Sequence, residues 1–291
     1  MGFHLQLLFT GIGVGSIYAL VALGFALIYR ATGVVNFAQG DFAMLGAFSM
    51  VVLAMDLGLP YGVSIVVTLA LLIGFGALFN LAVYYPLRNR SFLPVIISTI
   101  GASILLENGV LATYGPRPQT LDGMFPDWPG LTIGDVFLDA QYIVILVVAV
   151  VMVLLQYLFF ERTLIGKKMQ ATSQDKEMAS LVGIPVMAMI MITFMYSAAL
   201  GGLAGILVAP VLFVTVGMGS TIALKAFAAS IIGGFGDVRG AIAGGLALGV
   251  IETFGASLSP SYKDAFAFLV LFVFLLVRPQ GIFGERIAEK A

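Results

Sequence analysis

Long apolar stretches separated by short polar ones run through this chain from end to end, and their lengths match a bilayer rather than a globular core. A helix needs roughly 20 apolar residues to cross the hydrocarbon. On that length, spans are expected near residues 6–29, 37–55, 61–86, 92–114, 141–160, 187–209, 239–258 and 264–278. The stretch 219–236 is weaker, with Lys225 inside it and a glycine-rich end; it reads as a short span, a re-entrant element or part of a broken helix. The first run, from about Leu5 to Tyr29, has no basic flank before it and is long enough to span, so a helix is expected there rather than a leader. The expected fold class is all-α: a polytopic transmembrane helical bundle of about eight spans (eight or nine), with discontinuous or re-entrant segments.

Composition agrees. The chain has 291 residues, of which 60% are hydrophobic and 10% charged, and its mean hydropathy is +1.09. Soluble domains carry about 25% charged residues. The net charge of -1 leaves no basic face for nucleic acid, so lipid is the expected surroundings. With no cysteine and with His4 as the sole histidine, disulfides, thiolate sites and histidine metal centres are not expected, and no cofactor is implied. Gly166-Lys167-Lys168 lacks the upstream glycine and the hydroxyl residue of a phosphate loop, so ATP has to be handled by another polypeptide. No polar stretch is long enough for a second core, and one transmembrane domain, 1–291, is expected.

Lysine and arginine set the orientation. Arg88 and Arg90, the central group Arg162, Lys167, Lys168 and Lys176, and the tail with Arg278, Arg286 and Lys290 mark the cytoplasmic side. The loop at about 115–140 holds Asp122, Asp127, Asp135 and Asp139 against Arg117 alone and carries Trp128, so it is expected outside. The segment at about 161–186 and the C-terminus are then cytoplasmic.

Glycines recur at helix-packing spacing: Gly11/Gly15, Gly201/Gly205, Gly236/Gly240/Gly244 and Gly245/Gly249. They suit close packing within the chain or a subunit interface. Two stretches put polar groups between apolar runs. "RATGVVNFAQGDFAMLGAF", residues 30–48, holds Asn36, Gln39 and Asp41; "IIGGFGDVRGAIAGG", residues 231–245, holds Asp237 and Arg239. Each reads either as a tight turn with a capping carboxylate or as a discontinuous helix whose open backbone meets a polar substrate. Glu107 and Glu252 lie inside spans, where a carboxylate needs protein or water around it. Thr99 offers either a hydroxyl to a substrate or a bond to its own backbone. Asn36, Gln39, Asp41, Thr99, Glu107 and Glu252 are therefore the candidate path.

The polar centre, "GKKMQATSQDKEMASLVGIPV", has the makings of a short amphipathic helix on the membrane surface, ended by Gly183 and Pro185. Glu177, Ala179 and Gly183 stand at the first, third and seventh places of E-A-A-x-x-x-G, which is similar to the cytoplasmic loop of ABC transporter permeases. The stretches "GSIYALVALGFALIYRATGVVNFAQGDFAMLGA", "LIGKKMQATSQDKEMASLVGI", "ALKAFAASIIGGFGDVRGAIAGG" and "SYKDAFAFLVLFVFLLVRPQGIFG" resemble, in order, LivH-type permeases of branched-chain amino acid importers. The resemblance implies a bacterial inner-membrane permease with a paired LivM-type permease subunit, two cytoplasmic ATPases and a periplasmic or surface binding protein. It also implies ATPase coupling through Lys167, Lys168, Asp175, Glu177, Ala179 and Gly183, with Gly183 allowing close approach and a backbone turn. Gln39-Gly40-Asp41 departs from the His-Gly-Glu common in that family, which bears on the ligand, and related permeases carry urea, short amides or aromatic acids. A gradient-driven carrier would use Glu107 and Glu252 as ion sites but would leave the central helix without a partner.

Overall fold

The structure is a computed structural model that describes residues 2–125, 127–134 and 136–283. Its helices are α1 (Gly2–Thr32), α2 (Gln39–Met50), α3 (Tyr61–Phe79), α4 (Phe92–Tyr114), α5 (Ala140–Arg162), α6 (Leu164–Gln174), α7 (Lys176–Leu181), α8 (Val186–Val208), α9 (Met218–Gly233), α10 (Val238–Leu258) and α11 (Lys263–Val277). Between α4 and α5 a small antiparallel hairpin forms from β1 (Gly130–Ile133) and β2 (Val136–Asp139). The fold is the expected helical membrane bundle.

Among the described residues, seven helices are long and apolar enough to span: α1, α3 extended to Leu87, α4, α5, α8, α10 and the segment Pro260–Val277 that contains α11. Two expected segments differ. The stretch 37–55 supplies α2, 12 residues continued by a wider turn through Val51–Asp56. The stretch 219–236 supplies α9, 16 residues. Neither matches the other seven in length, because each begins only after an unwound segment, 33–38 or 209–217, has folded back into the bundle.

One end of the bundle gathers the turn with Arg88 and Arg90, helices α6 and α7, the α9–α10 turn, and Arg278 after α11. The opposite end gathers Asp56, the hairpin with Asp139, and Lys263 and Asp264. These are called the basic and the acidic end below. The central helix is α1, buried along most of its length from Gly11 to Thr32. It meets α10 through glycines: a Cβ on Gly11, Gly15, Gly245 or Gly249 would collide with the backbone of the other helix. Gly46 with Gly202, Gly205 with Ala43, Gly40 with Gly219, and Gly233 with Gly240 do the same for α2–α8, α2–α9 and α9–α10. The helical glycines of the spaced pairs are thus spent inside the chain, as backbone-to-backbone packing between lipid-embedded helices requires. Gly236 is different; it sits at φ 90° in the α9–α10 turn.

The neighbour pattern has an internal two-fold. α1 packs on α9 and α10 as α8 packs on α2 and α3, while α1 meets α8 and α2 meets α9 across the middle. α1 and α8 run in opposite directions, so α1–α4 and α8–α11 have the relation of inverted repeats. The counterpart of the 33–38 interruption is therefore 209–217. Outside this core, α3, α4, α5 and α11 turn large apolar side chains such as Leu71, Leu105, Leu154 and Leu276 outward, a surface suited to lipid.

A bulky side chain at the α1–α10 crossing is expected to be far less tolerable than one on the outside. Gly249→Leu, against the backbone of Gly15, is expected to abolish monodisperse protein in fluorescence-detected gel filtration. Gly74→Leu, where a Cβ meets nothing within 4 Å, is expected to leave it unchanged. Equal profiles would show that the glycine contact does not hold the core.

Candidate functional site

The chain leaves α1 at Thr32, turns through Gly33 at φ 79°, and re-enters so that Gln39 lies beside Gly24, well back along α1. Three polar contacts hold this re-entry. Phe37 N–H donates to Thr99 Oγ1 at 3.2 Å, and Thr99 donates to Ile96 O at 2.8 Å. Asn36 Oδ1 accepts from Ala38 N–H at 3.1 Å. Gln39 Oε1 accepts from the Ser197 hydroxyl at 2.8 Å, and its Nε2 donates to Ser197 O at 3.3 Å. Thr99 therefore bonds its own helix, one of the two alternatives, and also accepts from the backbone of the break.

Asp41 behaves otherwise than a capping residue. The residue before α2 is Ala38, and no side chain caps that helix start. Asp41 is 1% exposed; the Ser103 hydroxyl of α4 faces it, but no donor is within hydrogen-bond distance of either carboxylate oxygen, and Asn36 Nδ2 is also unpartnered. The helix dipole at the start of α2 favours the negative charge, but a buried acceptor without a donor costs about 1–3 kcal/mol, more when charged. Asp41 faces Gly219 at the start of α9, and Glu107 stands nearby on α4. Glu107 is half-buried and accepts a hydrogen bond from the Ser220 hydroxyl of α9. The structure thus brings Asn36, Gln39, Asp41, Thr99 and Glu107 to one place, where the starts of two short helices meet.

The second interruption is fastened from the acidic end. Gln119 and Val214 exchange two backbone hydrogen bonds of 2.9 Å, and Gln141 Nε2 donates to Leu207 O at 2.8 Å. The stretch 231–245 resolves to the simpler alternative: Gly234 and Gly236 turn at φ 109° and 90°, and Asp237 caps α10 by accepting from Gly240 N–H at 2.6 Å.

Glu252 does not join the central cluster. It is fully buried and pairs with Lys225 at 2.8 Å and Lys263 at 3.0 Å; Lys225 also pairs with Asp264 at 2.7 Å. This network ties α9, α10 and α11 together. Lys225, in sequence only a blemish in a weak span, is the partner that makes the carboxylate tenable. Ser197 and Ser220 were equally overlooked; their only signal is a hydroxyl on an otherwise apolar helix face.

The central polar segment is two helices. Asp175 breaks the run and caps α7, accepting from Glu177 and Met178 N–H at 2.9 Å each. Lys167, Lys168 and Glu177 are exposed, and Ala179 is buried. Gly183 takes φ 82°, and Ile184 N–H bonds Ala179 O at 3.0 Å to close the helix. Nothing of this chain lies within 4 Å of a Cβ there, so within the chain Gly183 serves the turn. Lys176 Nζ donates to Thr32 O at 3.1 Å, a link between α7 and the last residue of α1. Burial lowers the Lys176 pKa below the usual lysine value.

No group of three or more metal-ligand residues occurs among the described residues. Removing one member of a buried pair costs about 3–5 kcal/mol, whereas replacing both by apolar residues is often neutral. Glu252→Leu alone is therefore expected to lower the Tm of the purified protein markedly, and Lys225→Met/Glu252→Leu to recover most of the loss. A single variant as stable as the parent would remove the network from the packing of α9–α11.

The comparisons with known proteins follow the same line. The family model described as branched-chain amino acid transport system / permease component matches residues 7–275. The high-affinity branched-chain amino acid transport system permease protein BraD of Pseudomonas aeruginosa is 35% identical over 99% of this chain and 98% of its own length. The corresponding permease LivH of Escherichia coli is 33% identical over the same shares. The autoinducer 2 import system permease LsrC of Yersinia enterocolitica is 28% identical over 86% of this chain and 68% of its own. With seven spanning helices, two short inner helices and a match that covers nearly the whole chain, this protein belongs to the branched-chain amino acid transport permease family.

Proposed function

We propose that this chain is the membrane permease subunit of an ATP-binding-cassette importer that moves branched-chain or closely related amino acids into the cytoplasm, and that it is a single transmembrane permease domain. The observation that carries the reading is the buried Asn36 and Asp41, unpartnered where α2 and α9 begin, in a chain of this family. An amino acid sheds water from an ammonium and a carboxylate as it crosses, so its route needs polar groups that have bonds to spare. Asp41 suits the ammonium, Asn36 the carboxylate, and Glu107 and Thr99 line the same place. Glu252 holds the helices around it in position.

The remaining parts follow from the charge pattern. The basic end faces the cytoplasm, with the C-terminus on that side, and the loop at 115–140 faces the binding protein outside. A LivM-type permease completes the membrane core, and two ATPases sit beneath it. Segment 161–186 is the coupling element: α7 exposes Met178 and Leu181 with Val182 just beyond, an apolar tip with Lys176 and Glu177 beside it, shaped for a groove on a partner. The bond from Lys176 to Thr32 O then carries motion of α7 straight to the α1–α2 break. The partners hydrolyse ATP; this chain has no phosphate loop of its own.

Reconstituted vesicles containing the full complex test this. Leucine uptake is expected to need both binding protein and ATP, and Asn36→Leu and Asp41→Asn to lower it several-fold while stimulated ATP hydrolysis persists. Gly183→Leu, forced into a φ that costs about 1–2 kcal/mol with a side chain, is expected to uncouple hydrolysis from uptake. Uptake driven by an ion gradient without the ATPases, or of urea or amides in place of amino acids, would sink the reading. Orientation is checked separately: Asp122→Cys should react with an impermeant thiol reagent from outside, and Gln174→Cys only from inside.

A further inference from the structure

A cavity of about 250 Å³ lies apart from the central cluster, near the basic end between α1, α5, α6, α8 and α10. Gln156 of α5 lines it. That side chain is 3% exposed, and neither its Oε1 nor its Nε2 has a hydrogen-bond partner. A buried carboxamide with both ends unsatisfied costs more than one hydrogen bond, and a residue is kept in that state where something else completes it. Its lining mixes characters: Leu27, Val153 and Ile242 are among the apolar residues, Asp237 lines it while its carboxylate caps α10, and the exposed charges are Arg30, Arg239 and Glu161. Among the described residues, none of these three charges has an ion-pair partner.

We propose that this cavity binds one free amino acid with an apolar side chain, entering from the basic end. Its carboxylate meets Arg30 and Arg239, for which the guanidinium fork is the natural partner. The ammonium meets Glu161, the side chain lies on the apolar wall, and the Gln156 amide takes the remaining donor and acceptor. The volume is just under the usual range of drug-sized pockets, about 300–1,000 Å³, which suits a molecule of this size. Because Gln170 and Ser173 of α6 form one wall, the ligand touches the proposed coupling segment, so the site reads the solute on the coupling side. The choice of ligand rests on the transport reading above.

The test uses the complete permease–ATPase complex in nanodiscs, without binding protein or nucleotide. Saturable binding of tritiated leucine is expected, weakened at least tenfold in Gln156→Leu and in Arg239→Gln. A diazirine analogue of leucine is expected to label α5 and α6 peptides. Folding is controlled by the same variant: an apolar isostere in place of an unsatisfied amide should leave ligand-free Gln156→Leu at least as stable as the parent, whereas a packing role for Gln156 would lower its Tm and overturn the proposal. If the complex imports leucine through its binding protein but binds none here, or the photolabel goes only to α2 and α9, the cavity assignment falls and the transport reading stands. If it neither imports nor binds any branched-chain amino acid, both fall. A phospholipid seen by native mass spectrometry on the parent and lost from Gln156→Leu, with no leucine bound, would also overturn the assignment.

Discussion

Everything in this molecule depends on helices that approach until their backbones touch. In hydrocarbon an open backbone N–H or C=O has no water to satisfy it, so unwound chain survives at membrane depth only under protein cover. Here the cover is provided by glycines. Gly11, Gly15, Gly245 and Gly249 draw α10 onto α1, and Gly46, Gly202 and Gly205 draw α8 onto α2. The room saved at those crossings lets α2 and α9 start inside the bundle, nose to nose at Gly40 and Gly219. Without that proximity the two helices could not begin against each other.

The two interruptions are gripped from opposite ends of the molecule. The 33–38 segment is reached from the basic end, where Lys176 bonds the last carbonyl of α1 and Thr99 takes the N–H of Phe37. The 209–217 segment is reached from the acidic end, where Gln119 pairs with Val214 and Gln141 bonds Leu207 O. The repeat therefore gives each face of the membrane a handle on one of two short helices that meet in the middle. A device that must respond to one partner inside and another outside needs such a division, and the inverted repeat supplies it from a single packing scheme.

The buried charges divide along the same line. Glu252 has two lysines within 3.0 Å and serves as structure. Asp41 has no donor within hydrogen-bond distance, only the Ser103 hydroxyl of α4 facing it, and it lies where the two helix starts converge. Glu252 shares Oε1 between two ammonium groups and leaves Oε2 without a partner, whereas among the described residues no cation pairs with Asp41.

What the sequence determined by itself is whatever depends on length and composition. Apolar runs of bilayer length settle the class, and the alternation of basic and acidic loops orders the ends. What only the tertiary structure decided involves groups far apart in the chain. Glu252 could not be told from a path residue until Lys225 and Lys263 stood beside it. The 231–245 stretch could not be told from a second broken helix until its glycines were seen to turn and Asp237 to cap α10. The inverted repeat is carried by which helices touch, and touching depends on the absence of Cβ atoms at crossings between segments some 200 residues apart, such as Gly15 and Gly245. Spacing within one segment shows that a helix has a smooth face, but not which other helix will lie against it.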